Sequence, residues 1–336
     1  MGGVSMCGLF GFSDPYGSLT PWQARQLVRA LAVSSMVRGT DATGIAYNSK
    51  HRLHIYKRAE KASDTLLYPS AGSRVVMGHV RMTTQGNAKF NHNNHPFPGD
   101  LDGHSPGSGP DFALAHNGVL TNDLILRHQL HLPKTRIETD SYVAVQILQA
   151  AGTLDMDTLA ELAQQLEGTF TLTVLDREDN LYFVRGNNPL CLVEFSHLGL
   201  FVYASTAEIL QEAIARCAFL NARLFSRVWT EEGEILKLGC DGRMETRYFD
   251  TTRLHESFYG LWGWQRNKPA HCATGTSDLL DTACNLGYDE EDVAILQACG
   301  YCSEEIEELL QDPELFRSAL QDAQCEFVMY GGDYLP

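Results

Sequence analysis

Short apolar runs of strand length alternate with stretches of helical spacing along most of this chain. Cys7–Phe12, broken only by Gly8 and Gly11, reads as a buried first strand. Thr20 before Pro21 has the form of an N-cap followed by the first helical residue. Trp22, Leu27, Ala30, Leu31 and Val33 then run along a helix. Thr43–Tyr47 and Arg52–Lys57 read as paired strands around a turn at Asn48–His51, and Val75–Arg81 and Phe112–His116 as further apolar runs bounded by turns. The spacing of Val143, Ile147 and Ala150 predicts a helix over Asp140–Ala150, and Met156–Leu166 repeats it. Strands follow at Thr169–Leu175, Leu181–Arg185, Leu190–Glu194 and Leu200–Ser205, then a helix at Ala207–Ala215. Strands near Val228, at Ile235–Leu238 and at Met244–Phe249 complete the series. Gly99–Pro110 reads as a loop insertion. Many strands with few helices, and no strict alternation, indicate a layered α+β domain.

The pattern changes near residue 253. Residues 254–278 hold Phe258, Tyr259, Trp262 and Trp264 and then turn polar, which reads as a linker that docks through its aromatics. Residues 279–336 read as an acidic helical tail. Two related units there, LGYDEEDVAIL at 286–296 and CGYCSEEIEELL at 299–310, share a Gly-Tyr turn and an acidic first helical turn. Asp289 and Ser303 are their expected N-caps.

Charge sharpens that division. The 336 residues carry a net charge of −16, and residues 265–336 hold 15 acidic against 3 basic side chains. Residues 1–264, with 27 acidic and 23 basic, are electrostatically ordinary. Neither part offers the basic footprint of a nucleic-acid binder, whereas the acidic tail suits a basic protein partner. No apolar stretch approaches membrane-spanning length, and MGGVSMCGLFGF lacks the basic start and long apolar run of a secretory signal. A cytoplasmic location is the expectation, with the nine Cys, an odd number without a tight framework, as reduced thiols.

The candidate chemistry starts at Cys7 in MCGLFGF, which alone reads equally as a small buried hydrophobe. Downstream lie RGTDATGIA at 38–46, GHVRMTTQG at 78–86, NNHPF at 93–97, AHNGVLTN at 115–122 and ETDSYV at 138–143. In this order and spacing these blocks resemble the glutaminase domain of class II glutamine amidotransferases, an N-terminal-nucleophile hydrolase family. The resemblance covers about residues 7–250. It implies a four-layer αββα sandwich for residues 7–253, followed by a small α-helical appendage, and no cofactor or metal. It also implies an enzyme that hydrolyses glutamine or a glutamine-like amide.

Under that resemblance Cys7 is the nucleophile, and Asn117 and Gly118 form the oxyanion hole. Arg81 clamps the glutamine α-carboxylate, Thr84 adds a hydroxyl contact, and Asp140 holds the ammonium. Amide hydrolysis needs each of these parts, and a planar guanidinium suits a carboxylate better than a lysine does. Asn-Gly alone would read as a hairpin turn, and Asp140 alone as a helix N-cap. Arg38, Gly39 and Asp41 read as scaffold. Met82-Thr83-Thr84 departs from the aromatic or apolar residue and Ser/Ala-Thr usual after that arginine. His92, His95 and His104 read as exposed loop histidines rather than metal ligands. Cys299 and Cys302, near His271, Cys272 and Cys284, lack the second C-x-x-C pair of a zinc site.

An α-amino group titrates at about 7.7–8, so an N-terminal Cys7 could use its own amine as base. Residues 1–6 must then be removed. Three accounts of MGGVSM stand side by side: translation from Met6, a self-removed propeptide, or an added extension. The residues after the domain are too few for the synthase folds fused to larger relatives. The leading reading therefore passes ammonia to a separate synthase subunit. Behind it stand a stand-alone hydrolase of another γ-glutamyl-type amide and, last, a non-catalytic binding module.

Overall fold

The structure is a computed structural model that describes residues 7–103, 109–221 and 224–254 and, within 283–320, positions 283, 286, 288, 290–298, 306, 309, 310, 316, 317, 319 and 320. It divides into two compact units, Met1–Trp264 and Gln265–Pro336.

Local chemistry sets the elements of the first unit. β1 (Gly8–Ser13) leads through a loop to α1 (Pro21–Ser34), whose start is a capping box: Thr20 Oγ1 accepts from Gln23 N, and Gln23 Oε1 accepts from Thr20 N. β2 (Ala42–Ser49), β3 (Arg52–Arg58), β4 (Val75–Arg81), β5 (Phe97–Gly99) and β6 (Phe112–Leu120) follow. Next come α2 (Asp123–Gln129), α3 (Tyr142–Ala151) and α4 (Met156–Ala163), the last capped reciprocally by Asp155 and Thr158. β7 (Gly168–Asp176), β8 (Leu181–Arg185), β9 (Cys191–Phe195), β10 (Leu200–Ala204), α5 (Ala207–Ala215), β11 (Ser226–Val228), β12 (Glu234–Leu238) and β13 (Met244–Tyr248) complete the unit.

The strands form two antiparallel sheets, one of order β11-β9-β10-β1-β4-β2-β3 and one of order β13-β12-β8-β7-β6-β5. Period-two alternation explains the layering. On β1, Phe10 and Phe12 face a core shared with α1 and α5, while Leu9 faces the opposite sheet. On β6, Phe112 and Leu114 face a core with α3 and α4, while Ala113 and Ala115 face inward. Each sheet is therefore covered on both faces, which yields the expected αββα sandwich. It also explains why its strands read as near-continuous apolar runs.

The elements differ from the pattern in instructive places. β6 does not stop at His116 but runs through Asn117-Gly118 to Leu120, paired with β7 across Asn117↔Thr171 and Gly118↔Phe170. The turn-prone dipeptide is a strand segment here. α2 has no readable period because Leu124 and Ile125 face solvent and Leu126 alone of its apolar residues is buried. α3 begins at Tyr142 with Ser141 at the N-cap position, so Asp140 is not its cap.

In the second unit, α6 (Glu290–Ala298) begins within the first of the two related tail segments and ends two residues beyond it. Val293 and Leu296 join Ala283, Ile306, Leu310, Phe316 and Leu320 in one apolar cluster. The expected caps Asp289 and Ser303, the aromatic linker after Leu254, and the cysteines of the tail lie outside the described residues. No helix among the described residues is long and apolar enough to cross a membrane.

Phe10 is fully buried between its sheet and the α1–α5 layer. Phe10→Ala should lower the unfolding free energy by about 3–5 kcal/mol through the lost apolar contact and the cavity. Leu124→Ala, on the exposed face of α2, should stay within about 0.5 kcal/mol. Denaturant unfolding of both variants checks the pair, and similar losses would contradict this assignment of the core.

Candidate active site

The sandwich brings the ends of several strands together. Cys7 immediately precedes β1, Arg81 ends β4, and Asn117-Gly118 lie late in β6 on the facing sheet. Arg38 joins them. Its Nε donates to the Cys7 carbonyl at 2.9 Å and its Nη2 to Asn117 Oδ1 at 3.5 Å. The Cys7 thiol is buried and points its hydrogen at the Met82 carbonyl, 3.4 Å away. Burial pushes this thiol up to about 11, against the nearby guanidiniums of Arg81 and Arg38.

Asn117 is fully buried, and its carbonyl accepts from Asn188 Nδ2 at 2.9 Å. With Oδ1 turned to Arg38, its Nδ2 has no hydrogen-bond partner among the described residues. A buried donor left open in this way costs stability and suits a ligand that brings an acceptor. Gly118 sits at φ 143° with the Thr169 carbonyl where a Cβ would be, 1.9 Å from that position. No larger residue fits.

Arg81 is buried at the strand end, and burial pulls its guanidinium below the ordinary arginine value. Nη1 donates to Asn94 Oδ1 at 2.6 Å, and Nη2 donates to the carbonyls of Gln85 and Gly86. Gln85 reaches across the site as well, since its Oε1 accepts from Asp140 N at 3.0 Å. The RGTDATG block supports this arrangement from beneath. A Cβ on Gly39 would lie 2.5 Å or less from the Arg81 carbonyl group, Asp41 N donates to that carbonyl, and Asp41 Oδ2 accepts from Thr83 N. The scaffold reading of Gly39 and Asp41 fits these contacts, whereas Arg38 touches both Cys7 and Asn117 and belongs to the site itself. Thr84 is exposed in the loop that follows Arg81.

Asp140 is buried, and its Oδ2 accepts from Leu120 N at 2.6 Å, two residues beyond Gly118. Ser141 Oγ has one hydrogen and two acceptors in reach, Asp140 Oδ1 at 3.2 Å and His116 Nδ1 at 2.7 Å. His116 Nε2 faces the Thr169 carbonyl and must be that ring's donor, so neutral His116 takes the Ser141 hydrogen at Nδ1. Asp140 Oδ1 is thereby left as an acceptor.

His95 corrects the sequence expectation. It is not an exposed loop histidine but is buried, its ring 4.2 Å from that of His79 and 4.4 Å from Phe97. The pattern hid it because NNHPF looks like a polar loop, while Asn93, Asn94 and His95 are all packed inside. His92 is half-buried, and His104 lies outside the described residues. His79 Nε2 donates to the His116 carbonyl at 3.0 Å, a second tie between the sheets. Among the described residues, no three His, Cys, Asp or Glu side chains are arranged to hold a metal ion. Asn188 carries no sequence signal, and Asn94 and Gln85, though inside the NNHPF and GHVRMTTQG blocks, are common polar loop residues whose place at the site only the fold reveals.

The αββα sandwich places Cys7 at the head of a central strand and Asn-Gly on the facing sheet, the architecture expected of an N-terminal-nucleophile hydrolase. The comparisons with known proteins give the same answer. A glutamine amidotransferase domain family matches residues 101–212. Glutamine--fructose-6-phosphate aminotransferase of Bacillus licheniformis is 28% identical over 55% of this chain and 30% of its own length. Amidophosphoribosyltransferase of Methanocaldococcus jannaschii is 30% identical over 56% of this chain and 40% of its own. The chain thus aligns with well under half of the curated relatives it matches. The solved glutamine phosphoribosylpyrophosphate amidotransferase of B. subtilis shares the fold, with a TM-score of 0.56 at 19% identity over 74% of this chain and 50% of its own. By sequence and fold the chain is similar to glutamine amidotransferases of class II.

The buried histidines give a prediction for stability. Burial lowers His79 to about 3 and His95 well below its ordinary value, and lowers His116 too. These groups bind fewer protons folded than unfolded, so their contribution is complete above about pH 6.5 and lost as pH falls toward 3. Between pH 7 and pH 5, His79 should cost about 2 kcal/mol of unfolding free energy, and His95 adds to the loss in the same direction. Urea unfolding across that range checks this, and a flat or rising profile would contradict it.

Proposed function

We propose that this domain hydrolyses the side-chain amide of glutamine to glutamate and ammonia, with Cys7 as nucleophile once residues 1–6 are removed. One observation carries the reading: a buried thiol and an unpartnered, buried amide donor are coupled through Arg38. The thiol at about 11 leaves about one thiolate in ten thousand at pH 7, so it needs a base. In the full chain the Cys7 nitrogen is an amide and cannot serve. Freed as an α-amine, it takes the thiol proton as sulfur attacks the amide carbon.

The oxyanion that forms is held by Asn117 Nδ2 and Gly118 N–H, donors typically worth about 3–4 kcal/mol of barrier each. The same amine returns the proton to the leaving nitrogen, ammonia departs, and water hydrolyses the thioester. Arg81 receives the substrate α-carboxylate, for its Nη groups are already oriented by Asn94 and Gln85. Asp140 receives the ammonium at Oδ1, and Thr84 adds a hydroxyl from the exposed loop. Ammonia then passes to a separate acceptor protein in the cytoplasm, where a reduced Cys7 persists. Residues 279–336, acidic and joined to the domain by 254–278, supply a surface for a basic partner.

The reading is tested in a chain beginning at Cys7. Cys7→Ala should lower kcat/KM for glutamine by more than a thousandfold while thermal unfolding stays intact. Turnover within tenfold of wild type, about 1.4 kcal/mol of barrier, would overturn the nucleophile assignment. Arg81→Lys should raise KM at least tenfold with a smaller effect on kcat, and an unchanged KM would remove the carboxylate clamp. A larger γ-glutamyl amide turned over much faster than glutamine would move the substrate and keep the chemistry.

A further inference from the structure

We infer that Lys57 is a positioning residue for the substrate clamp: from β3 it fastens the 94–96 backbone and, through Asn94, sets the Arg81 guanidinium. The inference rests on the reading that Arg81 receives the glutamine α-carboxylate.

β3 is the edge strand of its sheet, and Arg52, His54 and Arg58 on it are exposed. A lysine there is ordinarily a solvated charge. Lys57 instead reaches inward. Its Nζ donates to the Asn94 carbonyl at 2.5 Å and the Pro96 carbonyl at 3.0 Å, and lies 5.0 Å from the centre of the Phe97 ring. Two carbonyls, two residues apart, are thus gripped by one ammonium, which fixes the segment at both ends.

Asn94 is fully buried and is held at three points. Lys57 takes its carbonyl, its Nδ2 donates to the Ala88 carbonyl at 2.8 Å, and its Oδ1 accepts from Arg81 Nη1 at 2.6 Å. With the backbone and the amide nitrogen fixed, Oδ1 has one direction, and the guanidinium plane follows it. Arg81 has five N–H donors in a fixed fork, and this bond with those to Gln85 and Gly86 holds both terminal nitrogens in place. The remaining donors are pre-oriented for a carboxylate, which lowers the ordering cost of binding.

Electrostatics agree with this placement. Burial, and then the Arg81 charge, bring the Lys57 ammonium down to about 7. Two cations held near each other are costly without an anion, and a substrate carboxylate on Arg81 supplies one. The arrangement therefore favours the anion twice, through the orientation of the fork and through the local field.

The test compares glutamine with 4-aminobutanamide, which is glutamine without its α-carboxylate, in a chain beginning at Cys7. Lys57→Met should raise KM for glutamine at least fivefold with kcat within threefold, and Lys57→Arg should restore KM to within twofold. On 4-aminobutanamide, Lys57→Met should change kcat/KM by less than twofold. An unchanged KM for glutamine, or an equal loss on both substrates, would overturn the inference and leave Lys57 a fold-stabilising residue. Lys57→Gln carries the same comparison should the methionine variant not fold. A wild-type chain that hydrolyses neither amide would refute the glutaminase reading itself, which keeps the two failures apart.

Discussion

The site depends on one half-buried arginine that spans the two sheets. Cys7 belongs to one sheet and Asn117 to the other, and nothing in their local sequence fixes the distance between them. Arg38 does so by donating to the Cys7 carbonyl and to the Asn117 side-chain oxygen. The second bond has a chemical consequence. An amide has one oxygen and one nitrogen, so engaging the oxygen points the nitrogen the other way. The unpartnered Asn117 Nδ2 is thus the product of a hydrogen bond made elsewhere. Such a donor costs no reorganisation when an oxyanion forms, which is the condition under which it contributes most to rate.

The surroundings are organised around cost in the same way. His79, His95 and His116 are buried and neutral; His79 reaches across the gap between the sheets to the His116 carbonyl, while His116 faces the Thr169 carbonyl of its own sheet. A neutral ring ties the layers without adding buried charge. The charges that are retained, Arg38, Arg81 and Asp140, carry hydrogen bonds that hold backbone or amide groups in place. Buried charge is tolerable only with such partners. The cost is stability at low pH, where the histidines must be protonated for the chain to unfold favourably.

Much of this was legible in the sequence, for identifiable reasons. Strands such as Val75–Arg81 and helices such as Ala207–Ala215 were readable because burial on both faces of the sheets leaves uninterrupted apolar runs, and caps such as Thr20 mark helix starts. The blocks that hold Cys7, Arg81, Asn117, Gly118 and Asp140 were legible by their order; in the fold Cys7 and Asn117 both bond Arg38, and Arg81 and Asp140 both bond Gln85. The extension of β6 through Asn117-Gly118 was not, because a glycine at a turn and a glycine under a neighbouring carbonyl look alike in a sequence. His95 was missed since a polar run gives no sign of being packed inside. Lys57 was hidden by its alternation with exposed neighbours on an edge strand. Arg38 was read as scaffold because its partners lie 31 and 79 residues away.

The central claim is that Cys7 is a live nucleophile whose base is its own freed amine. The most direct measurement is the mass of the intact protein, before and after exposure to a glutamine analogue carrying a diazoketone in place of the amide. Chains beginning at Met1 and at Cys7 should be treated side by side. One adduct, mapped to Cys7, is expected in the chain that begins there, and none in the chain that retains residues 1–6. Equal labelling of both chains would contradict the role of the amine. No labelling of either would contradict a working site.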